Sequence, residues 1–191
     1  SRGKIEQPKL SMNIENILNQ GVAILKNNNI PNPYLDSEIL LSKSISKDQK
    51  YIILNSKKTL NSTQLDNFND LIDRRKNGEP IAYLTNKKEF WKDEFYVNEN
   101  VLIPRPDTEI IIEQVLETYP ERSQLQVLDI GTGSGCIILS IIKERPNFYG
   151  TGIDISKKSI KVSKINAKQL NLNNRVKFIH SGVDNFNIGK Y

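Results

Sequence analysis

Up to about residue 85 the apolar positions of this chain recur at helical spacing; beyond Glu89 they gather into short runs suited to strands. Ile14, Ile17, Leu18, Val22 and Leu25 fall on one face of a helix that Ser11 is placed to cap. Asn27 to Pro33, an Asn-rich run with two prolines, predicts a loop. Leu35, Ile39 and Leu40 give the inward face of a second helix, and Tyr51 to Leu54 part of a short third. Ser62 or Thr63 caps a fourth, with Leu65, Phe68, Leu71 and Ile72 inward and an end near Asn77-Gly78. Residues 11–85 thus read as a small helical bundle.

From Glu89 the texture changes. Phe90 to Val97 sets aromatic and β-branched arms on either side of a polar centre, the pattern of a hairpin. Pro104 and Pro106 stop any strand, and Asp107 or Thr108 caps a helix bearing Ile111, Ile112, Val115 and Leu116. A strand near Val127, a helix from Cys136, a strand near Thr151, a helix from Ser156 to Gln169 and a strand near Val176 follow. Alternation of this kind predicts an α/β domain on a parallel, doubly wound sheet.

The chemistry concentrates where the first of those strands ends. Val127-Leu128-Asp129-Ile130 runs into Gly131-Thr132-Gly133-Ser134-Gly135 and then an apolar helix. Such a turn brings bare backbone N–H groups up to a ligand at a helix N-terminus. About twenty residues on, the next strand ends in Asp154, placed to accept both hydroxyls of a ribose. The glycines read G-x-G-x-G instead of the dinucleotide pattern G-x-G-x-x-G. Asp129 beside them would repel a pyrophosphate and suits a ligand carrying an ammonium group. The other reading of the loop is a turn that only lets strand and helix pack closely.

Composition narrows the setting. The 191 residues carry a net charge of +5, a pI near 9.2 and a mean hydropathy of −0.49, as a soluble globular chain would. The basic residues look scattered in the sequence, with Arg74-Arg75-Lys76 the only dense cluster, so a solvated surface is expected. A single cysteine, Cys136, precludes an internal disulfide, fits a reducing cytoplasm and reads as core. His180 is the only histidine and has no partner at metal-ligand spacing, so no metal site is expected. No apolar stretch nears the ~18 residues of a membrane span, and the N-terminus lacks a signal-peptide core.

Three segments together carry a family resemblance. Arg75 to Leu84 with its Gly78-Glu79-Pro80, then Glu89-Phe90 and Val101 to Glu109, then the glycine loop, resemble the release factor glutamine N5-methyltransferases from about residue 11 onward. The resemblance implies an N-terminal helical bundle (11–85) that docks the substrate, a hairpin linker (86–104), and an incomplete Rossmann-like methyltransferase domain (105–191). It implies S-adenosylmethionine as cofactor and class I peptide chain release factors as partners. The reaction would be methylation of the side-chain amide in their Gly-Gly-Gln loop. Asp129, Gly131, Thr132, Gly133, Ser134, Gly135 and Asp154 match the cofactor site, and Arg105, Asp107, Thr108 and Glu109 the segment beside its methionine end. A rigid proline linker with a helix cap is the plainer account of that second segment.

Some positions depart from the family pattern. Asn86 stands where Gly is usual, and Lys92-Asp93 where Gly-Leu is usual. Val183 falls where an aromatic residue near the adenine is usual. The family's Asn-Pro-Pro-Tyr, which holds the substrate amide, would follow Tyr191, so no catalytic residue is assigned. The expectation is a part of a longer protein, inactive alone, with the glycine-loop strand left open along one edge. An adenine N6-methyltransferase acting on DNA or RNA is one rival reading, though neither a basic channel nor stacking groups for a flipped base are seen. A non-catalytic module binding a release factor or the ribosome is the other.

Overall fold

The computed structural model describes residues 12–186, and the chain divides into two compact units between Thr85 and Asn86. The first unit is helical, with α1 (Ile14–Asn27), α2 (Pro33–Ile45), α3 (Gln49–Leu54), α4 (Ser62–Lys76) and α5 (Ile81–Thr85). Ile14, Ile17, Leu25, Leu40, Leu41, Phe68 and Ile72 form its core. Gly21 lets α1 and α4 approach, since a Cβ there would stand 2.7 Å from the Phe68 ring.

The caps differ from those expected. Ser11 lies outside the described residues, and Asn13 caps α1 by accepting the Asn16 N–H at 2.9 Å. For α4 the cap is Asn61, in a reciprocal capping box with Gln64. An N-cap must stand in extended backbone, as Asn61 does, whereas Ser62 and Thr63 are already helical. Pro33, expected in the loop, is the first residue of α2, where its missing N–H costs nothing.

In α2 the buried face is rotated from the predicted one. Leu35 is 49% exposed, and Asp36, Leu40, Leu41 and Ile45 point inward. Leu40, Leu41 and Ile45 form the apolar face, and Asp36 is tolerated beside them because its carboxylate accepts from Arg75 Nε at 2.8 Å, with both side chains largely covered. Arg75 also donates to the Glu79 carbonyl at 3.1 Å, while Arg74 grips the Glu79 carboxylate. Gly78, at φ +94°, makes the turn that this clasp closes.

The second unit begins with an antiparallel hairpin, β1 (Lys87–Phe90) and β2 (Asp93–Tyr96). Its two-residue turn is Trp91-Lys92, so the hairpin starts and turns earlier than its polar centre implied. Phe90 and Phe95 meet edge to face, 6.2 Å apart, within the core of this unit. A short 3₁₀ turn (Pro106–Thr108) leads into α6 (Glu109–Thr118). Thr108 has helical backbone and makes no side-chain cap, because the 3₁₀ turn runs straight into the helix. Of the expected inward residues of α6, Ile112 is buried, Val115 and Leu116 pack at the core margin, and Ile111 is 45% exposed.

The remaining elements are β3 (Gln126–Ile130), α7 (Cys136–Glu144), β4 (Tyr149–Asp154), α8 (Lys157–Gln169) and β5 (Val176–His180). They form the expected parallel sheet, in the order β3-β4-β5. Among the described residues β3 pairs with β4 alone. Ile138, Leu139, Ile142, Phe148, Ile160 and Phe178 fill the core. Gly150 and Gly152 admit α7 and the Phe178 ring, since a Cβ at either would come within 2.7 Å of Ile138 or Phe178. No helix among the described residues is long and apolar enough to cross a membrane.

Candidate functional site

The glycine loop sits at the C-terminal end of β3, where a parallel sheet offers its open crevice. The Gly131 and Thr132 N–H groups both donate to the Ile153 carbonyl, at 2.9 and 3.0 Å, which ties the loop to β4. Gly131, Gly133 and Gly135 all have positive φ, at +74°, +54° and +80°. These three glycines nevertheless do different work. A Cβ on Gly135 would lie 2.9 Å from Phe178, so this position is kept bare by packing. A Cβ on Gly131 would meet nothing within 4 Å, and one on Gly133 only the Gly131 carbonyl at 4.0 Å. The two readings of the loop therefore apply to different residues: Gly135 serves helix–strand packing, and Gly131 and Gly133 face open space.

Two carboxylates border that space. Asp154 Oδ2 accepts the Gly133 N–H at 3.0 Å, and its Oδ1 accepts the Ser156 N–H at 2.8 Å. These bonds occupy about half of the four or so lone-pair sites of a carboxylate, leaving acceptor capacity on both oxygens. Asp129 Oδ2 accepts from Thr132 Oγ1 at 2.7 Å. Burial pushes the Asp129 carboxyl above its ordinary pKa, the Thr132 hydroxyl opposes the shift, and the nearby Asp154 adds to it. It is a half-buried acid to which a cation would be welcome.

Asn166 was not singled out from the sequence, yet it holds the loop from below. It is 1% exposed, and its amide donates to the Ser134 carbonyl at 2.8 Å and to the Tyr96 carbonyl at 3.0 Å. Its oxygen accepts the Tyr96 N–H at 2.7 Å. One side chain on α8 thus joins the glycine loop to the hairpin. The only hint in the sequence is a polar residue on the apolar side of a helix.

The other sequence-predicted site residues lie apart from this network. Arg105, Thr108, Glu109 and Val183 make no hydrogen bond to the loop. Glu109 Oε1 instead accepts the Trp91 N–H at 2.6 Å, at a residue with φ +57°. The Trp91 indole donates to Glu144 at 2.8 Å, and Lys92 pairs with the same carboxylate at 2.7 Å. The Lys92 ammonium, with help from the indole, holds Glu144 below the usual carboxylate range. Val183 is 48% exposed, and Ile155, directly after Asp154, is 80% exposed near Gly182. Ile155 is a second apolar side chain at this edge that sequence reading passed over. Cys136 is buried in the core as expected, and that burial pushes its thiol up to about 11, which rules against a reactive thiolate.

Comparison with known proteins bears on these features. Residues 16–85 match the PrmC N-terminal domain, and residues 121–188 match a methyltransferase domain. The release factor glutamine methyltransferase of Buchnera aphidicola is 44% identical over 170 residues, covering 89% of this chain and 61% of that protein. That of Caulobacter vibrioides is 36% identical over 170 residues, covering 86% and 59%. A bifunctional methyltransferase of Rickettsia bellii is 37% identical over 207 residues, covering 95% and 37%. The chain thus spans between about a third and three fifths of these curated relatives. A putative S-adenosylmethionine-dependent methyltransferase from Methanococcus maripaludis overlaps it in part, with a TM-score of 0.39 and 26% identity over 44% of this chain and 37% of that one. The chain therefore joins a region like the PrmC N-terminal domain to one like a methyltransferase domain, and over most of its length it is similar to release factor glutamine methyltransferases.

Proposed function

We propose that this chain supplies the cofactor-holding part of an S-adenosylmethionine-dependent methyltransferase acting on the glutamine side-chain amide in the Gly-Gly-Gln loop of class I peptide chain release factors. The observation that carries the cofactor is the bare, open face of Gly131 and Gly133 between two carboxylates. An ammonium-bearing ligand suits Asp129, whose carboxyl pairs with no cation among the described residues. Asp154 would accept the ribose hydroxyls with its remaining lone pairs. Ile155 and Val183 would offer apolar surface to the base. When bound, the cofactor supplies an activated methyl group.

The helical unit is the part we assign to docking the release factor, and the names of the relatives support that substrate. An amide nitrogen is a weak nucleophile because its lone pair is delocalised. Its methylation therefore depends on orientation at the methyl group, which is worth up to ~7–11 kcal/mol. In this chain Glu109 would act by fixing the Trp91 turn, and Arg105 and Thr108 would lie beside the methionine end of the cofactor. The work would take place in the cytoplasm, where release factors are found.

The test is to incubate the full-length gene product with methyl-labelled S-adenosylmethionine and a class I release factor. Label on the Gly-Gly-Gln glutamine is expected, and label appearing instead on DNA or RNA would overturn the reading.

A further inference from the structure

From Ile155 to Val183 the chain contains no Asp or Glu, yet carries Lys157, Lys158, Lys161, Lys164 and Lys168 on α8, with Arg175 and Lys177 beyond. The rest of the sequence has more carboxylates than cations, so the net charge of +5 resides in this segment. Folding arranges that charge. Ile160, Val162, Ser163, Asn166 and Ala167 turn α8 onto the core, and all five of its lysines are exposed on the other side. Lys157, Lys161, Lys164 and Lys168 recur at alternating steps of four and three residues. At 3.6 residues per turn they lie within about 60° of arc and run ~16 Å along the helix. Lys177 joins Lys164 and Lys168 in lining a groove of about 760 Å³ beside β5. Among the described residues no carboxylate pairs with any of these lysines.

We infer that this lysine row on α8, continued by Lys177, binds the phosphate backbone of RNA. A line of unpaired ammonium groups on flexible stems neutralises phosphates without reading bases. The α8 helix has no arginine for bidentate base contacts, Phe178 is buried, and the one exposed ring of the segment, His180, is held by the Ile155 carbonyl at 3.0 Å, so the row offers no run of stacking platforms. The choice of RNA over another polyanion rests on the proposed substrate, because a release factor works on the ribosome, whose surface is RNA. The contact would hold the enzyme near its substrate and is separate from methyl transfer.

The experiment titrates the 191-residue chain with a fluorescein-labelled, mixed-sequence single-stranded RNA of about twenty nucleotides, by anisotropy, at several KCl concentrations. Five phosphate contacts predict a slope of log K against log salt near −3.5, at about −0.7 per contact. The variant Lys161→Gln, Lys164→Gln, Lys168→Gln should lose about 2 from that slope. A control of equal charge, Lys26→Gln, Lys47→Gln, Lys50→Gln, should keep it. Absence of binding in low salt, equal losses in both variants, or polyglutamate displacing the RNA at equal charge concentration would each overturn the inference. Neither anisotropy nor its salt slope depends on methyl transfer, so the proposed activity stands or falls by its own assay.

Discussion

Asp154 takes the backbone N–H of Gly133 at 3.0 Å, so the carboxylate assigned to the ribose also fixes the middle of the glycine loop. One side chain therefore sets both the shape of the cradle and part of its chemistry. Removing it should affect binding twice over, through the lost ribose acceptors and through the loosened loop. Each charge-assisted hydrogen bond is worth roughly 1.5–3 kcal/mol. Asp154→Ala is expected to weaken S-adenosylmethionine binding at least tenfold by calorimetry. Asp154→Asn, which keeps an acceptor for Gly133, should lose less. Unchanged affinity in the alanine variant would place the ribose carboxylate elsewhere.

The glycines should separate by mechanism. Gly133→Val places a side chain in open space, with a left-handed backbone penalty of about 1–2 kcal/mol, and should abolish cofactor binding while the unit stays folded. Gly135→Ala meets the same backbone penalty and also drives a Cβ to 2.9 Å from Phe178, so it should lower stability by about 3 kcal/mol. Thermal melts and calorimetry on both variants check this. Normal binding by Gly133→Val would reduce the whole loop to a packing device.

Asn166→Leu leaves the Tyr96 N–H without its acceptor and the Ser134 and Tyr96 carbonyls without their donor. Buried groups stripped of partners cost about 1–3 kcal/mol each. A loss of about 3 kcal/mol is expected on denaturant unfolding of the second unit, with the helical unit unaffected. A loss below about 1 kcal/mol would show that water replaces the amide.

Asp129 predicts opposite pH trends for affinity and stability. Its folded pKa is raised, so as pH falls through that value the half-buried carboxyl takes up a proton more readily than in the unfolded chain. The free protein gains stability from this step as pH falls. The ligand ammonium loses its partner over the same interval, and affinity should weaken. Calorimetry and melts taken from pH 7 down through the ordinary carboxylate range test both signs, and Asp129→Asn should flatten both. Affinity independent of pH in the unaltered chain would remove Asp129 from the ammonium site.

The pair Asp36–Arg75 should be coupled. Arg75→Ala leaves a covered carboxylate unpaired and is expected to cost about 3 kcal/mol. A double-mutant cycle with Asp36→Ala should return an interaction energy above about 1 kcal/mol, and additivity would mean that the two side chains are held independently.

Every helix but the short α5, the parallel strands and the glycine loop were legible in the sequence because each rests on local periodicity or on a residue type with its own backbone preference. Ile14 to Leu25 at helical spacing and Gly131 to Gly135 after a β-branched run needed no distant partner to be recognised. What the tertiary structure decided were matters of pairing across long separations. Asp36 is buried on α2 with Arg75 beside it in space, and Glu109 accepts the Trp91 N–H from eighteen residues away. Asn166 joined a hairpin seventy residues earlier to the glycine loop. The lysines of α8 looked scattered along the chain, and only helical geometry set four of them in a row. Periodicity reports which face of an element is apolar, whereas hydrogen bonds and charges choose partners by position in space, which a linear pattern does not contain.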